Sequence, residues 1–132
     1  MHGDTELTRI VIGEAIRLHK ALGPGLFESA YEEVLFRRLV QHDLRVERQV
    51  LVPFEYDGQT IRFGFRLDLL VERKLIIELK SVERPAPVHQ RQLLTYLRLM
   101  NLPLGLLINF GLDTLAAGID RVVNFSCPSD ST

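Results

Sequence analysis

The spacing of apolar residues changes near Arg45, and this change constrains the fold more than any other feature of the sequence. Before Arg45, apolar side chains recur at helical spacing in two segments. After it they alternate with polar residues, as they do in half-buried strands. A chain with this change of period packs helices against a sheet, so we predict an α+β or mixed α/β fold.

Three helices are predicted. The first runs from Leu7 to Leu22 and ends at Gly23-Pro24-Gly25, where two glycines and a proline cannot continue a helix. The second begins at Leu26 and ends near His42, and the third runs from about Val88 to Asn101. The residues expected to face the core are Leu26, Ala30, Tyr31, Val34, Leu35 and Leu39 in the second helix, and Leu93, Leu97 and Met100 in the third.

Three consecutive antiparallel strands are predicted between the second and third helices. Asp57-Gly58 is a strong hairpin signal between the first two, and a turn centred on Arg73 leads into Leu75–Lys80. The apolar segment Leu104–Phe110 indicates a strand covered on both faces, and Ile119–Phe125 is a candidate edge strand. The predicted order is α-α-β-β-β-α-β with a further strand at the end, around a central sheet.

Length and charge limit the domain organisation and the function. The 132 residues suit one domain, predicted over residues 1–125, followed by a polar tail at 126–132 that we expect to be disordered. The single cysteine, Cys127, fits a reducing compartment, and we expect a cytoplasmic protein without a membrane span or signal peptide. A formal charge of −1 gives no overall attraction to nucleic acid, so any phosphate contact must come from a local patch.

Strand pairing brings charged residues together. If the turn centres on Arg73, Asp68 lies opposite Glu78, with Lys80 two residues further along the same face and opposite to the face of Leu67, Leu69, Ile77 and Leu79. Two carboxylates about 4 Å apart repel by about 4 kcal/mol at a surface-like dielectric. We therefore expect positive charge between them, from Lys80 or from a divalent cation bound by carboxylate oxygens.

A simpler interpretation makes Glu78 and Lys80 an ordinary salt bridge beside an exposed Asp68. The surrounding strand argues against it, because charges are seldom placed in so apolar a segment without a reason.

These residues resemble a known family. Asp68 followed by Glu78-Leu79-Lys80 is similar to the D-x(n)-(D/E)-x-K signature of the PD-(D/E)XK nuclease superfamily, although Leu67 stands where its name expects proline. The segment from Gly25 to Tyr31 resembles the G-x-x-E-x-x-Y motif of its GxxExxY subgroup, and Gln92 to Tyr96 resembles the Q-x-x-x-Y of RecB-like members. The resemblance covers about Leu7 to Asn124 and implies a restriction-endonuclease-like core.

The resemblance also implies roles for individual residues. Asp68 and Glu78, with the carbonyl of Leu79, would hold Mg²⁺ or Mn²⁺, and Lys80 would orient the attacking water and stabilise charge on the phosphate. Glu28 would be a further metal ligand or ligand orienter, with Glu32 as its competitor one turn later. Gln92 and Tyr96 would line the site. The implied activity is hydrolysis of nucleic acid, expected to be DNA, with selectivity supplied by a homo-oligomer, another protein partner or a local patch.

Other interpretations of these residues stay open from the sequence. Tyr31 falls on an apolar helical stripe and suits a core position, Gly25 suits a helix stop, and Gln92 with Tyr96 suits a solvated helix face. His19 and His89 suit polar core or supporting positions, because no partner stands at zinc spacing. The alternative function is a catalytically silent module of the same fold that binds nucleic acid or protein.

Overall fold

The structure is a computed structural model that describes residues 6–127. It has three layers. Helices α1 (Glu6–Leu22) and α2 (Glu28–Val40) cover one face of a five-stranded sheet, and α3 (Pro87–Met100) covers the other. The predicted mixed α+β class, with helices flanking a mixed central sheet, is confirmed.

The strands lie in the sheet in their order along the chain. They are β1 (Val46–Tyr56), β2 (Gln59–Val71), β3 (Leu75–Lys80), β4 (Leu104–Asn109) and β5 (Ile119–Val123). Neighbours are antiparallel except β3 and β4, which are parallel and are connected through α3. Every residue of β4 is buried, as its unbroken apolar sequence predicts, and β5 is the predicted last strand.

Two hydrophobic clusters hold the layers together. The larger lies between the sheet and helices α1 and α2, and the smaller lies between the sheet and α3. The helix residues that contribute fully buried or nearly fully buried side chains are Val11, Ala15, Leu18, Tyr31, Leu35 and Leu39 in the larger cluster, and Leu93 and Leu97 in the smaller.

Helix α2 begins at Glu28, two residues later than its apolar spacing predicts. Gly25 has φ +108°, and Phe27 is extended at φ −66° and ψ 151°, so Leu26 belongs to the connecting loop. The helix ends at Val40 instead of near His42. The later start makes Glu28 the first residue of the helix, where a negative side chain interacts favourably with the helix dipole.

The predicted alternation of faces along β2, which places Leu67 and Leu69 on the same face, is wrong at one point. Leu69 packs toward α1 and α2, but Leu67 packs toward α3 with Leu70, so Leu67 does not share a face with Leu69. The reversal falls at Asp68, where the neighbouring strand places Gln49 at φ +51° between regular pairs. In β1, Val46 packs toward α1 and α2 whereas Val50 and Val52 pack toward α3, so both strands change layer at this point.

The packed structure extends to Cys127. The Ser126 hydroxyl donates to Asn124 Oδ1 at 2.6 Å, and Cys127 is buried. The first two residues of the predicted tail therefore contact the folded domain. The rest of that tail, 128–132, lies outside the described residues. None of the helices within residues 6–127 has the length and apolar character needed to cross a bilayer.

Candidate active site

The candidate site lies where β2 and β3 separate. Their last backbone pair on this side is Leu69 with Ile77, which confirms the predicted register. Beyond it, the carboxylates replace the backbone ladder. The N–H of Asp68 donates to Glu78 Oε2 at 2.9 Å, and the N–H of Leu79 donates to Asp68 Oδ2 at 2.8 Å.

Six predicted site residues line one cleft of ≈ 450 Å³. They come from four elements, with Asp68 on β2, Glu78 and Lys80 on β3, Glu28 on α2, and Gln92 and Tyr96 on α3. The fold therefore gathers residues that are up to 68 positions apart in the sequence, since Glu28 and Tyr96 line the same cleft.

Glu78 lies at the floor of the cleft and is only 7% exposed. Burial raises the pKa of its carboxyl to about 8, and the negative charge of Asp68 adds to the effect. The hydrogen bond from the Asp68 backbone and the charge of Lys80 act in the opposite direction but do not cancel it. Within residues 6–127, Lys80 therefore supplies only part of the positive charge that we expect between the two carboxylates.

Lys80 is half-buried at the end of β3 and lines the same cleft. Its backbone carbonyl accepts the N–H of Phe110 at 2.8 Å, which fixes the end of β3 against the chain that follows β4. The ammonium group is therefore carried by a well-anchored strand end, close enough to Glu78 to lower its pKa.

Gln92 and Tyr96 share a face of α3 that borders the cleft. Tyr96 stacks on Phe65 of β2, with ring centroids 4.4 Å apart and planes 10° from parallel. Burial raises the pKa of the Tyr96 phenol, as do the charges of Glu78 and Asp68, whereas its hydrogen bond with Gln92 lowers it. This helix face borders the acidic residues and is not simply a solvated surface.

Glu28 follows a loop that the Tyr31 side chain holds in place through hydrogen bonds. Tyr31 is fully buried, as its apolar stripe predicts, and its ring stacks on Phe110 with centroids 4.3 Å apart. Its hydroxyl donates to Gly23 O at 2.5 Å and accepts the N–H of Leu26 at 3.2 Å. The tyrosine thus ties down the segment that ends at Glu28.

Glu32 does not line the cleft, so its predicted role as a competing metal ligand has no geometric basis. Its carboxylate is 5% exposed and is paired with Arg48 at 3.1 Å, and Gln49 donates to its other oxygen. One helical turn after Glu28, the Glu32 side chain contacts β1 instead of lining the cleft. There it holds the left-handed Gln49 beside Asp68 in the sheet.

Other residues of the cleft were missing from the predicted site. Leu51, Phe63, Phe65 and Arg66 come from the β1–β2 hairpin and form one wall. Their signal in the sequence is the alternation of Phe63 and Phe65 just before Asp68, which indicates one face of a strand but not a binding site. Arg66 lines the cleft together with Asp68.

Neither histidine of interest lies among the acidic residues. His19 is buried, and its Nε2 is 2.9 Å from Leu112 O, as expected for a polar core residue. His89 is half-buried and lies against a small hollow that also touches Lys80.

The oxygen donors at the floor fit a hard divalent cation. Asp68 and Glu78 each use one carboxylate oxygen for a backbone N–H, which leaves their other oxygens without a hydrogen bond to residues 6–127. No group of three His, Cys, Asp or Glu side chains in that range forms a ready metal cage. A complete cage is not required, because Mg²⁺ keeps several waters and binds through one or two carboxylates.

A family model described as the PD-(D/E)XK nuclease superfamily matches residues 5–122. The chain belongs to this superfamily. The PD-(D/E)XK nucleases typically use divalent metal ions, in agreement with the donor set of the cleft. Leu67, which replaces the proline of the superfamily name, is fully buried in the cluster beneath α3.

Two further comparisons accompany this match. The solved crystal structure of SSO0001 is similar to this PD-(D/E)XK chain, with a TM-score of 0.45 and 17% sequence identity over 96% of this chain and 80% of that chain. Comparison with curated proteins gave no significant match.

Proposed function

We propose that the chain is a nuclease of the GxxExxY subgroup that hydrolyses phosphodiester bonds in nucleic acid, with DNA as the first substrate to test. The observation that carries the proposal is the convergence of Asp68, Glu78, Lys80 and Glu28 on one open cleft. Two carboxylates and an ammonium group in one cleft form a combination suited to metal-assisted hydrolysis of a phosphodiester.

Asp68 and Glu78 would hold Mg²⁺ or Mn²⁺ through the carboxylate oxygens left free by the backbone, with the Leu79 carbonyl and Glu28 as further donors. When bound, the cation stabilises negative charge on the phosphate and makes a bound water more acidic. Lys80 orients the attacking water and offsets charge that grows on the phosphate oxygens. Gln92 and Tyr96 border the substrate, and their mutual hydrogen bond fixes them to each other.

The charge of the chain places limits on how substrate is selected. With a formal charge of −1, the chain has no overall attraction for a polyanion, so selectivity comes from the residues of the cleft, from a second copy or from a protein partner. The lone, buried Cys127 fits a reducing compartment, and we place the protein in the cytoplasm.

A cleavage assay tests the proposal. Purified protein is incubated with end-labelled single-stranded DNA, double-stranded DNA and RNA in the presence of Mg²⁺ or Mn²⁺. We expect Lys80→Ala to lower the cleavage rate by about 100-fold or more, because it removes a charge that acts in the transition state. Lys20→Ala, which changes an exposed lysine of α1, is the matched control and leaves the rate unchanged.

Two results would contradict the proposal. Cleavage that is unaltered in Lys80→Ala points to a contaminant or to another site. No cleavage of any substrate by the unmodified chain favours the silent binding module.

A further inference from the structure

We infer that the cleft takes its nucleic acid as a single strand, with bases stacked on Phe63 and Phe27; the inference rests on the proposed function and adds the class of substrate. The acidic residues lie deep in the cleft. Glu78 is 7% exposed, so a phosphate must descend into the cleft to reach it.

The walls of the cleft rise from two different elements. One wall is the β1–β2 hairpin, in which residues 59–68 of β2 extend beyond the last pair with β3. The other is the start of α2 with the loop before it, where Leu26, Phe27 and Glu28 border an adjoining hollow of ≈ 390 Å³. Glu28 lines both spaces, so they adjoin at this residue, and we refer to the two together as the groove.

Each wall carries an aromatic ring that the fold leaves in solvent. Phe63 is 72% exposed on the hairpin, and Phe27 is 85% exposed at the start of α2. Phe63 lies two residues before Phe65, whose ring is already stacked on Tyr96 inside the cleft. Three aromatic side chains, Phe63, Phe65 and Tyr96, therefore line the same cleft.

A cation lies beside one of these rings, and two more line the cleft. The Arg62 guanidinium lies 5.6 Å from the centre of the Phe63 ring, and Arg66 and Lys80 line the cleft. Rings that can stack on bases, next to cations that can contact the backbone, are the combination used by proteins that bind single strands. A stacked duplex keeps its base faces covered, so it has none to offer Phe63 or Phe27.

The mixture of rings, cations and acids also argues against a protein partner on this surface. An apolar docking patch excludes charge from its centre. Here Arg66, Lys80 and Glu28 line the same cleft as Phe63, and Glu28 also lines the hollow that Phe27 borders.

Binding of fluorescein-labelled oligonucleotides, followed by anisotropy, tests the inference. The probes are a thymidine 12-mer, a uridine 12-mer and a DNA hairpin duplex, each with Ca²⁺ in place of Mg²⁺. We expect the single strands to bind at least about tenfold more tightly than the duplex, and Phe63→Ala to weaken their binding by about 5- to 100-fold. The two single-stranded probes separate DNA from RNA, and a preference for either supports the inference.

Tyr56→Ala is the matched control. Tyr56 lies on the same hairpin and is also 72% exposed, but it does not line the cleft, so its removal leaves binding within about twofold. Equal losses in the two variants, no loss in Phe63→Ala, or a duplex bound as tightly as single strands would overturn the inference. A dimer that dissociates in Phe63→Ala while oligonucleotide binding is unchanged would also overturn it, in favour of a protein interface.

The inference and the proposed function fail separately. A chain that binds single strands through Phe63 but cleaves nothing refutes only the proposed function. A chain that cleaves but binds duplex and single strands equally refutes only the inference.

Discussion

The backbone N–H of Asp68 donates to Glu78 Oε2 at 2.9 Å, so each strand end is held by the carboxylate of its neighbour. The return bond runs from Leu79 N–H to Asp68 Oδ2. These bonds fix the two acidic groups side by side where the sheet opens, although their charges repel each other. The arrangement costs stability unless a proton or a cation neutralises part of the charge, which agrees with the raised pKa of Glu78.

The Tyr31 hydroxyl stabilises the loop before α2. In Tyr31→Phe, the Gly23 carbonyl and the Leu26 N–H lose their partner, and we expect the free energy of unfolding to fall by about 1–3 kcal/mol. Urea denaturation measures the change. The matched control is Tyr56→Phe, at a 72% exposed ring, which should stay within about 0.5 kcal/mol of the unmodified chain. An unchanged stability in Tyr31→Phe would show that this hydroxyl does not hold the loop.

Glu28 and Glu32 have different environments although they are one helical turn apart. Glu28 lines the cleft, and Glu32 is paired with Arg48 away from it. We expect Glu28→Gln to weaken Mn²⁺ binding by about 10- to 100-fold, in the range found when groups that support a metal site are removed. The Mn²⁺ affinity of Glu32→Gln should stay within about threefold of that of the unmodified chain, a smaller change than the loss of a supporting group causes. Calorimetric titration of both variants makes the comparison, and the reverse order would place Glu32 at the metal.

The Glu14 side chain connects α1 to α2. Because its partners change its pKa, we expect the stability of the chain to depend on pH in a specific way. Its side chain is 4% exposed and meets Arg38 at 3.1 Å and His42 at 2.7 Å. Burial alone would raise the pKa of Glu14, but the hydrogen bonds from His42 and Arg38 and the charges of Arg38 and Arg17 lower it below its ordinary value of 4.5. Because the folded pKa is the lower one, this stabilisation is complete above pH 4.5 and is lost as the pH falls through the folded pKa.

We therefore expect Glu14→Gln to lower the free energy of unfolding by about 1–3 kcal/mol at pH 7, because its charged partners lose the carboxylate. The difference from the unmodified chain should narrow as the pH falls below 4.5. Denaturation across this pH range measures the difference in the free energy of unfolding. Glu33→Gln is the control: it removes the carboxylate of an exposed ion pair with Arg37 and should change the stability little at any pH. If the difference in the free energy of unfolding is the same at every pH, the charge of Glu14 contributes nothing to stability.

The sequence predicts the local pairings of this fold well. The turn centred on Arg73 fixes the register of β2 and β3, so Asp68 and Glu78 could be placed side by side from their positions alone. The change of period at Arg45 likewise predicts the order of helices and strands, because it reflects which faces are buried.

Features that depend on contacts distant in sequence were not predictable in this way. Gln49 adopts φ +51° within an alternating strand, and glutamine is not a residue whose presence indicates a left-handed conformation. The strand reversal that moves Leu67 to the other layer falls at the same point. The pairing of Glu32 with Arg48 requires knowing how α2 lies against β1, which a helical pattern does not contain.

The most direct test of the proposed metal site is calorimetric titration of Mn²⁺ into the unmodified chain, into Asp68→Asn and into Asp57→Asn. Asp68→Asn keeps the shape of the side chain and an oxygen to accept the Leu79 N–H but removes the charge. Asp57→Asn makes the same change in the hairpin turn, where φ is +52° and asparagine is well tolerated. We predict saturable binding to the unmodified chain and to Asp57→Asn, and binding at least about tenfold weaker to Asp68→Asn. No binding heat in the unmodified chain, or equal affinity in all three proteins, would contradict the account.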